Sequence, residues 1–313
     1  MIIEEIPTMI LAAGLTPAWQ QIVVLDALRV GEVNRAREVC WCASGKVLNV
    51  GRALHSLGVD SLTLSLAGGA ALPEFEREFA ADQVSRRWVT SSVPTRVCTT
   101  ILDQVSGNAT ELVENAKPVP RGEFDRFRDA YADEASRAEI VVVTGSLPNG
   151  APPTIYRDLL AVTPGLVILD ARGDGLLAAL EHRPFVVKPN REELGQTLGV
   201  EIDSDAKLHD AACELCRRGA AWSVVTQGRS DVWVCSVDEV VRISPPRVQV
   251  VNAIGSGDCL AAGIAWGLQL GYEVPNSVRL GMACAADNVR QLLPARLEPA
   301  RVLELMKEIK IER

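Results

Sequence analysis

The sequence predicts an α/β fold in which helices cover both faces of a doubly wound, mainly parallel sheet. From about residue 140 onwards, short apolar strands alternate with helical segments, which is typical of right-handed crossover connections. Hydrophobic residues make up 48% of the chain and aromatic residues only 4%, so aliphatic side chains must form the core. Such a core favours helices on a parallel sheet over an antiparallel sandwich. The length of 313 residues, without a linker, predicts a single domain over 1–313.

The first part of the chain predicts the start of this sheet and two excursions from it. Residues 21–42 and 94–114 each mix β-branched and polar side chains around a turn, so each predicts a two-stranded ribbon. We expect the ribbons to form a small β lid over the strand ends, where ligands of such sheets bind. The other elements predicted here are strands at 9–14 and 62–66 and helices at 46–57 and 73–81.

The remaining residues predict the regular alternation, followed by a sheet edge. Residues 231–250 break the rhythm with short strands, which indicates an antiparallel edge, and the last third of the chain is helical. The alternating elements are helices at 122–138, 152–161, 174–182, 191–198 and 204–218 and strands at 140–143, 166–169, 185–187 and 223–226.

Charge and composition exclude several classes of protein. The chain carries 32 basic and 40 acidic residues, a net charge of −8, and no basic run, so nucleic-acid binding is not expected. No apolar run approaches the roughly 20 residues that a membrane-spanning helix needs. Glu4 and Glu5 stand where a signal peptide would carry basic residues, so we expect a cytoplasmic protein.

The eight cysteines and three histidines indicate neither disulfide bonds nor a metal site. The cysteines mostly lie in apolar segments and lack the spacing of a disulfide framework. Cys213 and Cys216 are three apart on a predicted helix, but no second pair or nearby histidine completes a zinc site. We therefore expect reduced, buried thiols.

A glycine turn near the C-terminus predicts an anion-binding site that contains a carboxylate. Gly255, Ser256 and Gly257 precede a predicted buried helix, and Asp258 lies in its first turn. A ligand can approach the backbone N–H groups of glycines closely, and the positive end of the helix attracts anions. This pattern suggests phosphoryl transfer, with Asp258 as the base that deprotonates an acceptor hydroxyl. The structural alternative is a turn in which an aspartate stabilises the helix start.

Two more helix starts carry polar pairs at a spacing of three. Asn190 and Glu193, just after Lys188, can hold Mg²⁺ through its water shell, although the same pair can simply cap the helix. Lys46 and Asn49 can bind a sugar phosphate at a positive helix end, or the lysine can remain solvated.

Loop and motif patterns narrow the class of enzyme further. The loop Gly145-Ser146-Leu147-Pro148 follows a predicted strand, so its backbone can approach a ligand, although a plain Gly/Pro loop is the alternative. The sequence lacks the GxxxxGK[ST] pattern of P-loop enzymes and the GxSxG elbow of serine hydrolases. No GxGxxG follows the first strand, so a dinucleotide-binding start is not indicated.

Taken together, the motifs are similar to those of the PfkB branch of the ribokinase-like sugar kinases, specifically the hexose-phosphate kinases. They run from about residue 9 to 295 in the order in which that family carries them. One such motif alone is a weak signal, whereas six in order are specific. The six are the GKVLN helix start at 45–49, Thr95-Arg96, the GSLP loop at 145–148, the KPNREEL run at 188–194, Thr226-Gln227-Gly228 and the GSGD loop at 255–258.

The resemblance implies a ribokinase-like fold and a role for each matching residue. Asp258 would be the base, and the backbone N–H groups of the GSGD loop would stabilise the transferring phosphoryl group of ATP. Asn190 and Glu193 would organise Mg²⁺, and the lid would form the contact of a homodimer. The residues implied to bind the nucleotide are Lys188, Asn190, Thr226, Gly228 and Asn288. The residues implied to bind the sugar phosphate are Gln20, Gly45, Lys46, Asn49, Arg96 and Ser146.

The sequence departs from the family pattern at residues that serve recognition. Gln20 stands where the family has an aspartate that binds sugar hydroxyls, which removes a charge. Val47 replaces a glycine and predicts extra bulk beside the sugar, and Asp231 replaces the last glycine of a TxGxxG turn. The base, the metal ligands and the GSGD loop at 255–258, called the anion loop below, are retained. The departures therefore concern the choice of acceptor.

These implications predict transfer of the γ-phosphoryl group of ATP to a hydroxyl of a phosphorylated ketohexose. Fructose 1-phosphate is the first candidate and tagatose 6-phosphate the next. One alternative acceptor is an unphosphorylated sugar or a nucleoside, for which Arg96 and Lys46 would not be needed. A second alternative is a non-catalytic sensor of a sugar phosphate or nucleotide, which the retained Asp258, Asn190 and Glu193 disfavour.

Overall fold

The computed structural model describes residues 9–312, which form one large sheet, one small sheet and ten α-helices. The strands are β1 (Met9–Gly14), β2 (Ala18–Leu25), β3 (Glu38–Ser44), β4 (Ser61–Gly68), β5 (Arg86–Ser91), β6 (Arg96–Asp103), β7 (Ala109–Val113), β8 (Ala138–Thr144), β9 (Leu166–Asp170), β10 (Val186–Val187), β11 (Trp222–Gln227), β12 (Ser230–Cys235), β13 (Val240–Ile243) and β14 (Ile311–Glu312). The helices are α1 (Lys46–Ser56), α2 (Ala71–Ala81), α3 (Arg121–Ala135), α4 (Ile155–Leu160), α5 (Gly173–Ala179), α6 (Arg191–Leu198), α7 (Asp205–Arg217), α8 (Ser256–Gln269), α9 (Val274–Asn288) and α10 (Pro299–Glu308).

The strand order of the large sheet creates a crevice next to β1. From edge to edge the ten strands follow the order β5-β4-β1-β8-β9-β10-β11-β12-β13-β14. Neighbours from β5 to β11 are parallel, whereas β11 to β14 pair antiparallel at the edge. The chain runs from β1 to β4 on one side and returns to β8 on the other. A crevice therefore opens at the carboxyl ends of β1 and β8, where such sheets bind ligands.

The aliphatic core forms two layers, one on each face of the large sheet. Alternate residues of β1 point to opposite faces, so that Ile10 and Ala12 join one layer and Leu11 and Ala13 join the other. Helices α1, α2, α8, α9 and α10 cover the first face, and α3 to α7 cover the second. Because both faces are buried, the central strands read as continuous apolar runs in the sequence.

The small sheet is the lid, with four strands in the order β3-β2-β6-β7. Parallel pairing of β2 with β6 joins two antiparallel hairpins, β2–β3 and β6–β7. Ile22, Cys42 and Leu102 form an apolar cluster on one face of the lid, which packs against Leu292 and Leu293. The lid therefore rests on the segment that follows α9.

The predicted ribokinase-like architecture is confirmed: a doubly wound sheet, flanking helices, an antiparallel edge and a small lid. Three details differ. β2 begins at Ala18 instead of residue 21, and the two ribbons form one continuous sheet. β5 is absent from the prediction because Arg86 and Arg87 open it and obscure its apolar pattern. The chain ends in the short strand β14, although its last third is otherwise helical.

The structure also bears on the classes that composition excludes. Within residues 9–312, no helix is both long enough and apolar enough to cross a bilayer. The cysteines are all free, as predicted, although Cys40 and Cys213 are only half-buried. In the same part of the chain, no cluster of histidine, cysteine and acidic side chains is arranged to hold a metal ion. Glu4 and Glu5 lie outside the described residues, so the predicted location stays a prediction, as does the single domain.

Candidate active site

Polar side chains from four elements meet in the crevice at the carboxyl ends of the parallel strands. Asp170 is the last residue of β9, and Lys188 follows β10 directly. Lys46 and Asp258 come from the first turns of α1 and α8, which pack against each other. Both helices therefore present their positive N-terminal ends to the same crevice.

The GSGD loop has the conformation that an anion-binding helix start needs. Gly255 precedes α8 with φ +77°, a left-handed conformation that favours glycine. A Cβ at this position would lie 3.0 Å from Pro294 and 3.3 Å from Asn49, so a larger residue would also be crowded. Among residues 9–312, no side chain caps this end of α8. Its first N–H groups therefore lack a side-chain acceptor and can bind an anion.

Asn288 lies behind this loop. The residue is 1% exposed, its Nδ2 donates to the Ile254 carbonyl at 2.8 Å, and its Oδ1 accepts from the Ala295 N–H at 2.7 Å. The side-chain amide thus holds the backbone just before the loop. This arrangement gives Asn288 a supporting role, and the direct nucleotide contact stays a prediction.

Asp258 has the surroundings of a general base. It is 6% exposed, and its Oδ2 accepts a hydrogen bond of 2.7 Å from Nδ2 of Asn49. Burial raises the pKa of Asp258 to about 6, and the charge of Asp170 acts in the same direction, whereas the Lys46 ammonium opposes the rise. Such a carboxylate is ionised at neutral pH and is still basic enough to accept a proton from a hydroxyl.

Asp170 is a central residue of the crevice that the sequence analysis missed. It is 1% exposed, with Oδ1 at 3.0 Å from Nζ of Lys46 and Oδ2 at 3.3 Å from Nζ of Lys188. The Thr144 hydroxyl donates to Oδ2 at 3.2 Å. Burial alone would raise the pKa of Asp170, but the two ammonium groups outweigh it and hold the pKa below its ordinary value. The sequence did contain a signal for Asp170, because an acidic residue at the carboxyl end of a predicted apolar strand lies where such sheets bind ligands.

The two lysines bring positive charge to the anion loop. Nζ of Lys188 lies 3.5 Å from the point that a Cβ of Gly257 would occupy. Lys46 has a side chain that is 36% exposed, and its Nζ lies 3.7 Å from Oε1 of Glu193. Burial lowers the pKa of Lys46, but the surrounding carboxylates more than compensate, so the ammonium stays charged. Ammonium groups so placed suit phosphate oxygens.

Asn190 and Glu193 form a complete capping box at the start of α6. Oδ1 of Asn190 accepts from the Glu193 N–H at 2.8 Å, and Oε2 of Glu193 accepts from the Asn190 N–H at 3.0 Å. The pair therefore caps the helix, which is the structural alternative that the sequence analysis left open. Because Oε1 of Glu193 faces the crevice near Lys46, capping does not exclude a metal role, which stays a prediction.

Ser146 and the start of α1 both lie against the loop after β1. The Ser146 hydroxyl lies 3.2 Å from that of Thr16, which also donates to the Ser146 carbonyl at 2.9 Å. Gly45 precedes α1 with φ +91°, and a Cβ there would lie 2.9 Å from the Ala18 backbone nitrogen. The loops after β1 and β8 are thus tied together beside the start of α1.

Arg96 and Gln20 are in the lid, where both side chains bond within the protein. The Arg96 guanidinium donates to the backbone carbonyls of Thr16, Pro17 and Glu114 at 3.2–3.4 Å. Nε2 of Gln20, a residue 5% exposed, donates to the Thr100 hydroxyl at 3.0 Å. Two N–H groups of Arg96 remain available, since a guanidinium has five.

Val47 lies in the apolar core, and the extra bulk beside the sugar stays a prediction. It is 1% exposed and belongs to the apolar layer under α1. Its Cβ lies 2.9 Å from the point that a Cβ of Gly14 would occupy, so the side chain fills the space above β1. Of the departures from the family pattern, Gln20 remains the one that changes a predicted sugar-binding side chain.

A buried carboxylate beside an uncapped helix start, next to two lysines, is an arrangement suited to phosphoryl transfer, the reaction of carbohydrate kinases. Comparison with known families agrees with this class. The sequence model of the pfkB family of carbohydrate kinases matches residues 10–300, and the chain belongs to that family.

Solved structures of the same fold include several sugar kinases. A possible 1-phosphofructokinase from Thermotoga maritima has a TM-score of 0.88 at 22% identity, covering 97% of this chain and 99% of that one. Phosphofructokinase-2 from Escherichia coli, in complex with fructose-6-phosphate, has a TM-score of 0.84 at 22% identity, with coverage of 97% and 99%. Ribokinase from Thermotoga maritima has a TM-score of 0.76 at 17% identity, with coverage of 95% and 99%. At these identities the similarity establishes the ribokinase-like fold.

Proposed function

We propose that the protein transfers the γ-phosphoryl group of ATP to a hydroxyl of a phosphorylated ketohexose. Fructose 1-phosphate is the first candidate acceptor and tagatose 6-phosphate the second. The observation that carries the proposal is Asp258, a carboxylate of the GSGD loop whose burial raises its pKa to about 6 and whose charge interacts with Lys46 and Lys188. The similar folds of a possible 1-phosphofructokinase and of phosphofructokinase-2 support a hexose phosphate as acceptor.

The chemistry requires little covalent work from the protein. Asp258 takes the proton of the acceptor hydroxyl as the oxygen attacks the phosphorus in line with the leaving group. The N–H groups at the start of α8 and the ammonium of Lys188 stabilise the negative charge of the transferring group. Closure of the lid excludes water and limits hydrolysis of ATP.

The nucleotide and its metal ion are assigned to the side of the crevice near α6. Thr226 pairs with Asn190 in a parallel bridge, and the exposed Gly228 follows two residues later, so this edge is open to a nucleotide. The oxygen donors of Asn190 and Glu193 fit Mg²⁺, which keeps most of its waters and needs few protein ligands. When bound, Mg²⁺ would neutralise charge on the phosphates of ATP.

A panel of acceptors tests the proposed function. The purified protein, with ATP and Mg²⁺, is assayed for ADP release with ketohexose phosphates, unphosphorylated sugars and nucleosides. Turnover of ketohexose phosphates supports the proposal. Turnover confined to unphosphorylated sugars or nucleosides would establish the alternative acceptor. A ligand-dependent rise in melting temperature without any turnover would establish the sensor.

Replacing Arg96 by alanine should raise KM for the phosphorylated acceptor at least tenfold and leave KM for ATP unchanged. The reason is that a guanidinium offers a planar pair of N–H groups to a phosphate, and such a charge-assisted contact contributes about 1.5–3 kcal/mol. Steady-state kinetics with each substrate varied in turn measure the effect. Arg86→Ala, which removes an arginine paired with Glu76 far from the crevice, is the control. An unchanged KM for the sugar phosphate in Arg96→Ala would remove the reason for a phosphorylated acceptor.

We propose further that two copies of the chain associate through the outer face of the lid. Val39, Trp41 and Leu112 lie on this face and are 47%, 44% and 57% exposed. An exposed apolar patch of this kind marks a protein–protein contact. Trp41→Glu should therefore convert the dimer to a monomer in light scattering, whereas Val33→Glu, in the exposed turn between β2 and β3, should not. A monomeric wild-type protein would contradict the assignment.

A further inference from the structure

A buried hydrogen-bonded chain connects the lid to the base. The Ser44 hydroxyl, at the end of lid strand β3, donates to Oδ1 of Asn49 at 3.0 Å. Nδ2 of Asn49 in turn donates to Oδ2 of Asp258 at 2.7 Å. Ser44 and Asn49 are each 1% exposed, so water does not compete with these bonds.

The Asn49 amide is held at both of its ends. An amide has an acceptor oxygen at one end and a donor nitrogen at the other. The Asp258 carboxylate can only accept, so the nitrogen of Asn49 faces it, and the Ser44 hydroxyl holds the amide in place by donating to its oxygen at the other end. With the amide reversed, its oxygen would face the carboxylate oxygen, and two acceptors would repel each other.

An ion pair of the buried Arg52 with the half-buried Glu78 fixes the backbone that carries Ser44. Ala43, the preceding residue, has its carbonyl bound by Nη1 of Arg52 at 2.8 Å and its N–H bound by Oε2 of Glu78 at 2.6 Å. Arg52 also donates to Oε1 of Glu78 at 2.6 Å. Arg52 belongs to α1 and Glu78 to α2, so two helices hold Ala43. We call Ala43 and Ser44, where the lid strand β3 ends, the lid root.

The same cluster reaches the segment behind the anion loop. Arg296 donates to Oε1 of Glu78 at 3.2 Å and to Oδ2 of Asp82 at 3.0 Å. The neighbouring Ala295 donates its N–H to Asn288, which holds the backbone before the loop. Two arginines and two carboxylates therefore join the lid root, α1, α2 and the support of the anion loop.

We propose that Ser44, Arg52 and Glu78 are positioning residues for the base: they fix the lid root so that Asn49 donates to Asp258. The inference rests on the proposed function in taking Asp258 as the base. It gives Asn49 a second role beside the predicted contact with the sugar. Ordering of the lid over the acceptor is then coupled to a hydrogen bond that favours the ionised form of Asp258.

The effect of the Asn49 hydrogen bond on the pKa of Asp258 can be separated from the effects of the nearby charges. Lys46 faces it from α1, Asp170 from the end of β9, and Lys188 from the segment after β10. Ser44→Ala removes none of these charges. It also leaves intact the ion pairs that the two arginines, Arg52 and Arg296, make with Glu78 and Asp82. Because the hydrogen bond from Asn49 lowers the pKa of Asp258, its loss must raise that pKa.

The test compares Ser44→Ala and Glu78→Gln with Glu134→Gln. Glu134 is a matched control, since it also pairs with two arginines, Arg87 and Arg137, and is also largely buried, but it lies at the opposite end of the sheet. We expect the acid limb of kcat/KM to move up by about one pH unit in Ser44→Ala and in Glu78→Gln. Amide exchange in β2 and β3 should also accelerate in Glu78→Gln. Glu134→Gln should lower the melting temperature without either effect.

A second readout does not depend on the substrate. The carboxyl of Asp258 is titrated by NMR in protein labelled with ¹³C-aspartate and free of ligands, with its signal identified by its loss in Asp258→Asn. An upward shift of this titration in Ser44→Ala supports the positioning role even if no sugar phosphate is turned over. An unchanged titration in Ser44→Ala overturns the proposal. A Glu78→Gln protein that behaves like Glu134→Gln in all readouts overturns the role of the charged pair.

Discussion

Asp258→Asn is expected to reduce turnover by about 10²–10⁴-fold, the range that a positioned general base contributes. Asparagine fills nearly the same space but cannot accept the proton of the hydroxyl. The amide also adds a donor next to Nδ2 of Asn49, which now donates to Asp258 at 2.7 Å. Release of ADP in the presence of saturating acceptor measures the loss. ATP should still raise the melting temperature, because the backbone N–H groups at the start of α8 are unchanged.

The pH dependence of the wild-type enzyme provides an independent check on the same residue. Burial raises the pKa of Asp258 to about 6, and a base acts only when it is deprotonated. The value of kcat/KM should therefore fall as the pH decreases through about 6. Asp205→Asn is the control, since Asp205 also lies in the first turn of a helix, but on an exposed surface. Turnover in Asp258→Asn equal to that of the control would show that another group is the base.

The kind and order of most elements follow from the sequence because the sheet is buried on both faces. In a strand such as β9, residues 166–169 then appear as an unbroken apolar run between helices with clear starts and ends. The same logic fails for β5, an outer strand of the sheet whose first two residues are arginines. It also fails for the lid, because the parallel pairing of β2 with β6 joins segments that are far apart in the chain. No local pattern records such a pairing.

The site divides in the same way between local and distant features. Residues that act within one turn, such as the glycine at the start of α8 or the capping pair Asn190 and Glu193, are visible in the sequence. The partner of the base is not, because Asn49 and Asp258 are separated by 209 residues. Asp170 was missed for a related reason. Its importance comes from two lysines that only the strand order brings to it.

Asp170→Asn is the substitution with the largest expected effect on stability. Asp170 and Lys188 form an ion pair whose side chains are 1% and 5% exposed, and the variant leaves the lysine buried without its counter-charge. Removal of one partner of such a pair costs about 3–5 kcal/mol of the free energy of unfolding. The folded-state pKa of Asp170 is depressed, so its stabilisation is present above its unfolded-state pKa of 3.8 and is lost as the pH falls through the folded-state value. Chemical denaturation at pH 7 and below pH 4 should show the loss at neutral pH and a smaller difference in acid.

The same substitution should also change the pH profile, in the direction opposite to that of Ser44→Ala. The charge of Asp170 raises the pKa of Asp258, so its removal lowers that pKa and moves the acid limb of kcat/KM down. Glu134→Gln serves as the control, because Glu134 is 8% exposed and pairs with Arg87 and Arg137 at the opposite end of the sheet. The control should lose stability with the acid limb in place. Opposite shifts in Asp170→Asn and Ser44→Ala would assign the acid limb to Asp258. The pKa of this group is expected to fall when Asp170 loses its charge and to rise when the Asn49 hydrogen bond is lost. An acid limb that moves up in Asp170→Asn would contradict that assignment.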